Sequence, residues 1–171
     1  DISVIGDVFT VATSNGFASD STGKFTIAPY SASFASALSF PVANVSLGSS
    51  LTGLTIGKAG NTADITIGSA QTVAGPITVY GGDIAINGAL SATDGATPAT
   101  LSDINLHASG SVTQSAAITA AGLGLHGAGT FTLTNAGNSV TTLAGGNTTT
   151  RLGSLSYVNA GALTVGTVNP T

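Results

Sequence analysis

The chain has 171 residues and a formal net charge of −4, and only 6% of its residues are charged, against about 25% in an ordinary globular domain. Lys24, Lys58 and Arg151 are the only strong bases, too few to give a nucleic-acid partner its electrostatic footing. The absence of Cys excludes thiol catalysis and thiolate metal sites. The 42% hydrophobic content, laid out in regular alternation, excludes a disordered chain. No apolar run approaches the roughly 18 residues that a spanning helix requires, so the chain is not expected to span a membrane.

From the N-terminus, ISVI and VFTV are strand-like, with neither a basic start nor the apolar core of a signal segment. Residues 1–24 are expected to make a less regular first coil, preceded by a removed signal or by more chain. Short alternating segments then follow: FTI, VSL, ITI, IAI, INL, LGL, LAG and LTV. Their apolar pairs are Phe25/Ile27, Val45/Leu47, Ile65/Ile67, Ile84/Ile86, Ile104/Leu106, Leu123/Leu125, Leu143/Gly145 and Leu163/Val165. Successive pairs recur at a nearly constant period of about 20 residues, and only Gly145 breaks the apolar rule. Further apolar columns (Phe34, Leu54, Val73, Ala92, Val112, Phe131, Leu152) lie eight or nine positions later. Short strands at a fixed period, bounded by Gly, Asn, Asp and Ser, are the pattern of a β-solenoid.

This reading predicts an all-β parallel β-helix spanning residues 1–171 as one segment. It would have about eight coils of about 19–20 residues, stacked about 4.8 Å apart into a rod roughly 40 Å long. Ile65, Ile84, Ile104, Leu123, Leu143 and Leu163 would form one inward column. The runs GKAGN, AGN and AGGN would turn the corners, and the longer SATDGATPATLS (91–102) would bulge from one of them.

The stretches GPITVYGGDIAINGALSAT, SGSVTQSAAITAAGLGLHGAGTFTLTNAGNSVTTLAG and LSYVNAGALTVGTV resemble the repeats of filamentous haemagglutinin-like exoproteins, the large adhesins of two-partner secretion. The resemblance covers about residues 45–171. It implies a right-handed β-helix, an extracellular fibre, a role in adhesion or biofilm, and an outer-membrane transporter as partner of the parent protein. The family's N-terminal secretion domain has no match here, so the chain reads as an excerpt of a longer rod.

Immediately before each first inward position stand Lys24, Asn44, Asp64, Asp83, Asp103, Gly122, Thr142 and Ala162. Asp64, Asp83 and Asp103 are thereby expected to stack on successive coils, facing outward. Carboxylates about 5 Å apart repel unless compensated. They could accept backbone N–H bonds at the turns, bridge calcium, or act as a retaining-glycosidase pair. Catalysis by Asp83 and Asp103 lacks support: there is no Glu, no Trp to hold a sugar ring, and Arg151 is far along the rod.

His107 and His126, one period apart, are expected to stack on the outer surface, with Asn87 preceding them in their column. Neither has the further ligands of a metal site or the nucleophile of a triad. An ice-binding face would need an unbroken threonine column, and Thr26, Ser46, Thr66, Ala85, Asn105, Gly124, Ala144, Thr164 is broken. No catalytic, cofactor or metal site is therefore expected. The functional expectation is an adhesive or structural surface segment, taking host-cell or matrix glycans or proteins as partners and able to associate end to end. The alternative is a β-helical carbohydrate-active enzyme.

Overall fold

The computed structural model describes residues 1–13, 16–19, 22–48, 50–94, 96–97 and 99–169. Among them there is no helix, and all paired strands are parallel. The chain winds as a β-solenoid with three faces. The first face stacks Ile2–Ile5, Lys24–Ala28, Gly53–Ile56, Ile77–Gly81, Ile104–Ala108, the end of Ile118–His126, the end of Ser139–Gly145, and Thr164–Val165. Eight strands on that face enclose about seven turns. The second face is a six-stranded sheet of Leu38–Phe40, Ile65–Ile67, Ile84–Ile86, Val112–Gln114, Thr130–Leu133 and Ser154–Tyr157. The third is built from Gln71–Val73, Leu90–Ala92 and the starts of Ile118–His126 and Ser139–Gly145. Phe17–Ser19 and Val45–Leu47 pair at the same point of the two earliest coils.

The coils are not uniform. On the first face Ile2, Phe25, Leu54, Ile77, Ile104, Leu123, Leu143 and Val165 lie in register. The steps between them are unequal, longest from Phe25 to Leu54 and shortest from Ile104 to Leu123. The short period that the sequence suggests therefore holds on this face only from Ile104 to Leu143. Earlier it slips between faces: Phe25 is on the first, Val45 pairs with Phe17, and Ile65 and Ile84 stack on the second. The expected single column is thus two columns, Leu38–Ile65–Ile84–Val112–Phe131 and Ile77–Ile104–Leu123–Leu143. Leu163 is partly exposed, and Val165 takes the place beside Leu143. Each strand of a coil shows the same in–out alternation, so the pattern identifies strands without identifying faces.

Both columns are buried, as are their companions two residues on: Ile27, Ile56, Val79, Leu106 and Leu125 on one face, Phe40, Ile67, Ile86 and Leu133 on the other. The earliest coils are filled with rings, with Phe25 6.5 Å from Phe17 and 6.3 Å from Phe40, and Phe9 edge-on to Phe34 at 5.9 Å. Later coils are filled mainly with Ile, Leu and Val. The insert after Leu90–Ala92 is closed by an antiparallel bridge between Thr93 and Leu101. Asp94 caps it by accepting the amides of Ala96 and Thr100. Gly95 and Pro98 lie outside the described residues.

Corners are made by glycine and by buried asparagine. Gly57 has φ 80°, and a Cβ there would strike the carbonyl oxygen of Tyr80 in the next coil. Asn138 is fully buried at a corner between the second and third faces. Its Oδ1 accepts the amide of Ile118, one coil away, at 2.9 Å. Its Nδ2 donates to the carbonyls of Leu133 at 3.2 Å and Val158 at 3.0 Å. Gln114, which interrupts the inward column above Ile86, exchanges two bonds with the same amide at 2.8 and 2.9 Å.

Gly145 stands beside Leu125, where an inward side chain is due. Leu152 fills the gap: its Cδ1 lies 2.6 Å from where a Gly145 Cβ would be. Gly145→Leu alone should destabilise the rod by about 1–3 kcal/mol through overpacking. Combining it with Leu152→Ala should recover much of the loss, because the two side chains compete for one space. Chemical denaturation of the three variants checks this; an additive double variant would mean the space is not shared.

Candidate functional site

Asp64 and Asp83 precede second-face strands and stack as expected. Asp64 Oδ1 accepts the Asp83 amide at 2.8 Å, and Asp83 Oδ1 accepts the Ser111 amide at 2.6 Å. The same device recurs at the start of the chain, where Asp1 Oδ1 accepts the Lys24 amide at 2.7 Å. Each carboxylate is used to tie its coil to the next. Asp103 does not join them. It precedes Ile104 on the first face, and its Oδ1 lies beside Gly122 of the following coil. The expected three-aspartate column is therefore corrected to a pair, because coil length changes between Asp83 and Asp103.

His107 and His126 do stack in consecutive coils, with ring centroids 4.2 Å apart and planes 8° from parallel. The residue that precedes them is not Asn87 but Tyr80, whose ring lies 4.4 Å from that of His107. Asn87 follows the second-face strand Ile84–Ile86 and accepts a bond from Ser115. The lone pairs of parallel imidazoles lie in their ring planes, so the two rings cannot aim them at one ion. Among the described residues no group of three or more His, Cys, Asp or Glu gathers elsewhere.

The ring stack floors a groove of about 860 Å³ on the outside of the rod, walled by residues 59–62 and by Gly146, Asn147 and Thr150. Among the described residues no charged side chain lines it. His126 Nε2 lies 3.1 Å from Asn105 Oδ1, and Asn105 Nδ2 donates to the Asn169 carbonyl at 3.1 Å. His107 Nε2 is buried without a hydrogen-bond partner among the described residues. Burial, and secondly the neighbouring His126, push His107 down to about 4, and burial also lowers His126.

A histidine whose folded pKa is depressed takes up protons more readily when unfolded, so stability falls with falling pH between the two values. For His107 that window runs from about 6.5, the ordinary value, down to about 4. The melting temperature should therefore drop from pH 7 to pH 4. His107→Phe, which keeps the stack and removes the charge, should flatten that slope; an unchanged slope would place the acid sensitivity elsewhere.

The outward column between inward pairs also changes with the true register. On the second face it reads Ser39, Thr66, Ala85, Thr113, Thr132 and Ser156, a hydroxyl ladder still interrupted by Ala85. Tyr80 was not legible as a site residue because its partner lies a coil away, at a separation that the unequal coils hide; its one signal was an aromatic at an outward strand position. The AGN run at 136–138 does turn a corner as expected, while the coil-to-coil bonds of Asn138 were not legible. The geometry defines a β-solenoid with an uncharged lateral groove. No protein family, curated protein or solved structure matches the chain.

Proposed function

We propose that the chain is an adhesive or structural segment of an extracellular bacterial rod of the filamentous haemagglutinin type, without catalytic turnover. The observation that carries this reading is the unbroken parallel ladder of eight first-face strands over about seven turns, which makes a stiff spacer stable without disulfides. The short corners and uncharged groove favour contact with neutral surface glycans or proteins over chemistry upon them. On the same reading, an outer-membrane transporter exports the parent protein, and rods associate end to end through their terminal strand edges. The enzyme alternative required Asp83 and Asp103 side by side, and they start strands of different faces.

The test is a panel of polysaccharides and matrix proteins presented to the purified chain. Retention on one or more of them without release of reducing ends is the expected result. Release of reducing ends that disappears in Asp83→Asn or Asp103→Asn would overturn the reading.

A further inference from the structure

The chain contains two Asn-x-Ser/Thr sequences in which x is not proline, Asn44-Val45-Ser46 and Asn147-Thr148-Thr149; Asn169-Pro170-Thr171 is excluded by its proline. In a chain so rich in Ser and Thr, the motif alone has little force. The two asparagines are, however, held in opposite chemical states.

Asn147 lies in an exposed corner loop. Its Oδ1 accepts three bonds: from the Thr149 amide at 2.9 Å, the Thr149 hydroxyl at 2.8 Å and the Thr150 amide at 2.7 Å. The loop is braced by Asn147 N–H donating to the Thr150 carbonyl at 2.7 Å and by Gly146 at φ 67°. No acceptor among the described residues engages Asn147 Nδ2. Asn44 shows the reverse. Its Nδ2 donates to the Val11 carbonyl at 2.7 Å, its backbone sits at φ 63°, and no donor among the described residues reaches its Oδ1. Ser46, the third residue of its motif, is committed to the strand Val45–Leu47.

A carboxamide nitrogen is a poor nucleophile because its lone pair is delocalised onto oxygen. It becomes competent as it loses a proton, and negative charge then develops on Oδ1. Donors already aimed at that oxygen stabilise the charge in the manner of an oxyanion hole. Asn147 has three such donors and a free nitrogen, while Asn44 has its nitrogen tied and its oxygen unassisted.

We propose that Asn147 is a glycosylation site of the folded rod and that Asn44 is not. The co-reactant is a sugar activated as a nucleoside-diphosphate or lipid-diphosphate ester. Asn147 Nδ2 forms a bond to the anomeric carbon as the bond from that carbon to the phosphate oxygen breaks. The diphosphate leaves with the electron pair, and the Nδ2 proton passes to a base of the transferase. The attached sugar would project beside His126, at the end of the uncharged groove that Asn147 and Gly146 help to wall. This inference does not depend on the adhesive reading.

The experiment incubates the folded chain with an asparagine-directed glycosyltransferase and a nucleoside-diphosphate hexose. The transferase is first shown to act on two synthetic peptides, one for each motif. Intact mass and peptide mapping then read the product. The expected result is one hexose, on Asn147, with modification of Asn44 at least about tenfold slower in the folded chain and both sites accepted after denaturation. Asn147→Gln should abolish the folded-state product. Thr149→Ala should suppress it, with Thr149→Ser restoring it and melting temperatures unchanged. Equal modification of Asn44, or none on the folded chain while the peptides react, would overturn the proposal.

Discussion

Ile104→Ala should cost about 2–5 kcal/mol, through lost transfer free energy and the cavity left behind. Ile104 is fully buried and lies between Ile77 of the preceding coil and Leu123 of the next. Its neighbours are fixed by backbone ladders on both sides, so they cannot collapse into the void, which places the cost in the upper part of that range. Ile104→Val removes one methylene and should cost only about 0.5–1.5 kcal/mol. In a stack where each coil contacts its neighbours alone, damage at the centre weakens two interfaces at once. Urea denaturation followed by circular dichroism measures both variants. An Ala variant as stable as the parent would mean that this column is not packed.

Asn138→Ala should be comparably damaging although it deletes no apolar surface. The substitution strands the Ile118 amide, breaks the paired bonds with Gln114, and removes one donor each from the Val158 carbonyl and the Leu133 carbonyl, the latter still accepting the Val158 amide. A buried group left unpaired costs about 1–3 kcal/mol, so the Ile118 amide together with the lost Gln114 bonds sets an expected loss of about 2–3 kcal/mol. Asn138→Asp keeps the shape but replaces the two N–H donors by an acceptor. It should be at least as harmful at pH 7 and should regain stability in acid, where the carboxyl is protonated and can donate once. Equal losses for both substitutions at every pH would argue that the amide hydrogens are not what matters.

Much of this fold was legible in the amino-acid order. Alternation at ITI, IAI, INL and LGL marks true strands with buried first and third residues. The vacancy at Gly145, to be filled by a bulky neighbour or a bulge, could be read from the broken pattern alone; that Leu152 fills it could not. The assignment of strands to faces could not. Ile84 and Ile104 obey the same local rule, and only the length of the insert at 93–101 decides that they belong to different sheets. The Asp64–Asp83 pair was legible because the coil between them has the short period. Asp103 was misplaced for the same reason as Ile104. Tyr80 escaped notice because nothing near it in sequence shows that its ring meets His107, a full coil further on.

Stacking of each coil on its immediate neighbour governs how such a chain comes into being. On the first face each ladder joins a residue to its counterpart in the very next turn, however long the rod grows. Because closure entropy rises only logarithmically with loop length, the unequal coils close at nearly the same modest entropy, and no contact waits for a distant segment. A chain emerging end first, from a ribosome or through a narrow pore, can lay down one turn at a time on the open edge of the turn before it. Ring-to-ring contacts among Phe9, Phe17, Phe25, Phe34 and Phe40 add to the backbone ladders in holding successive turns together.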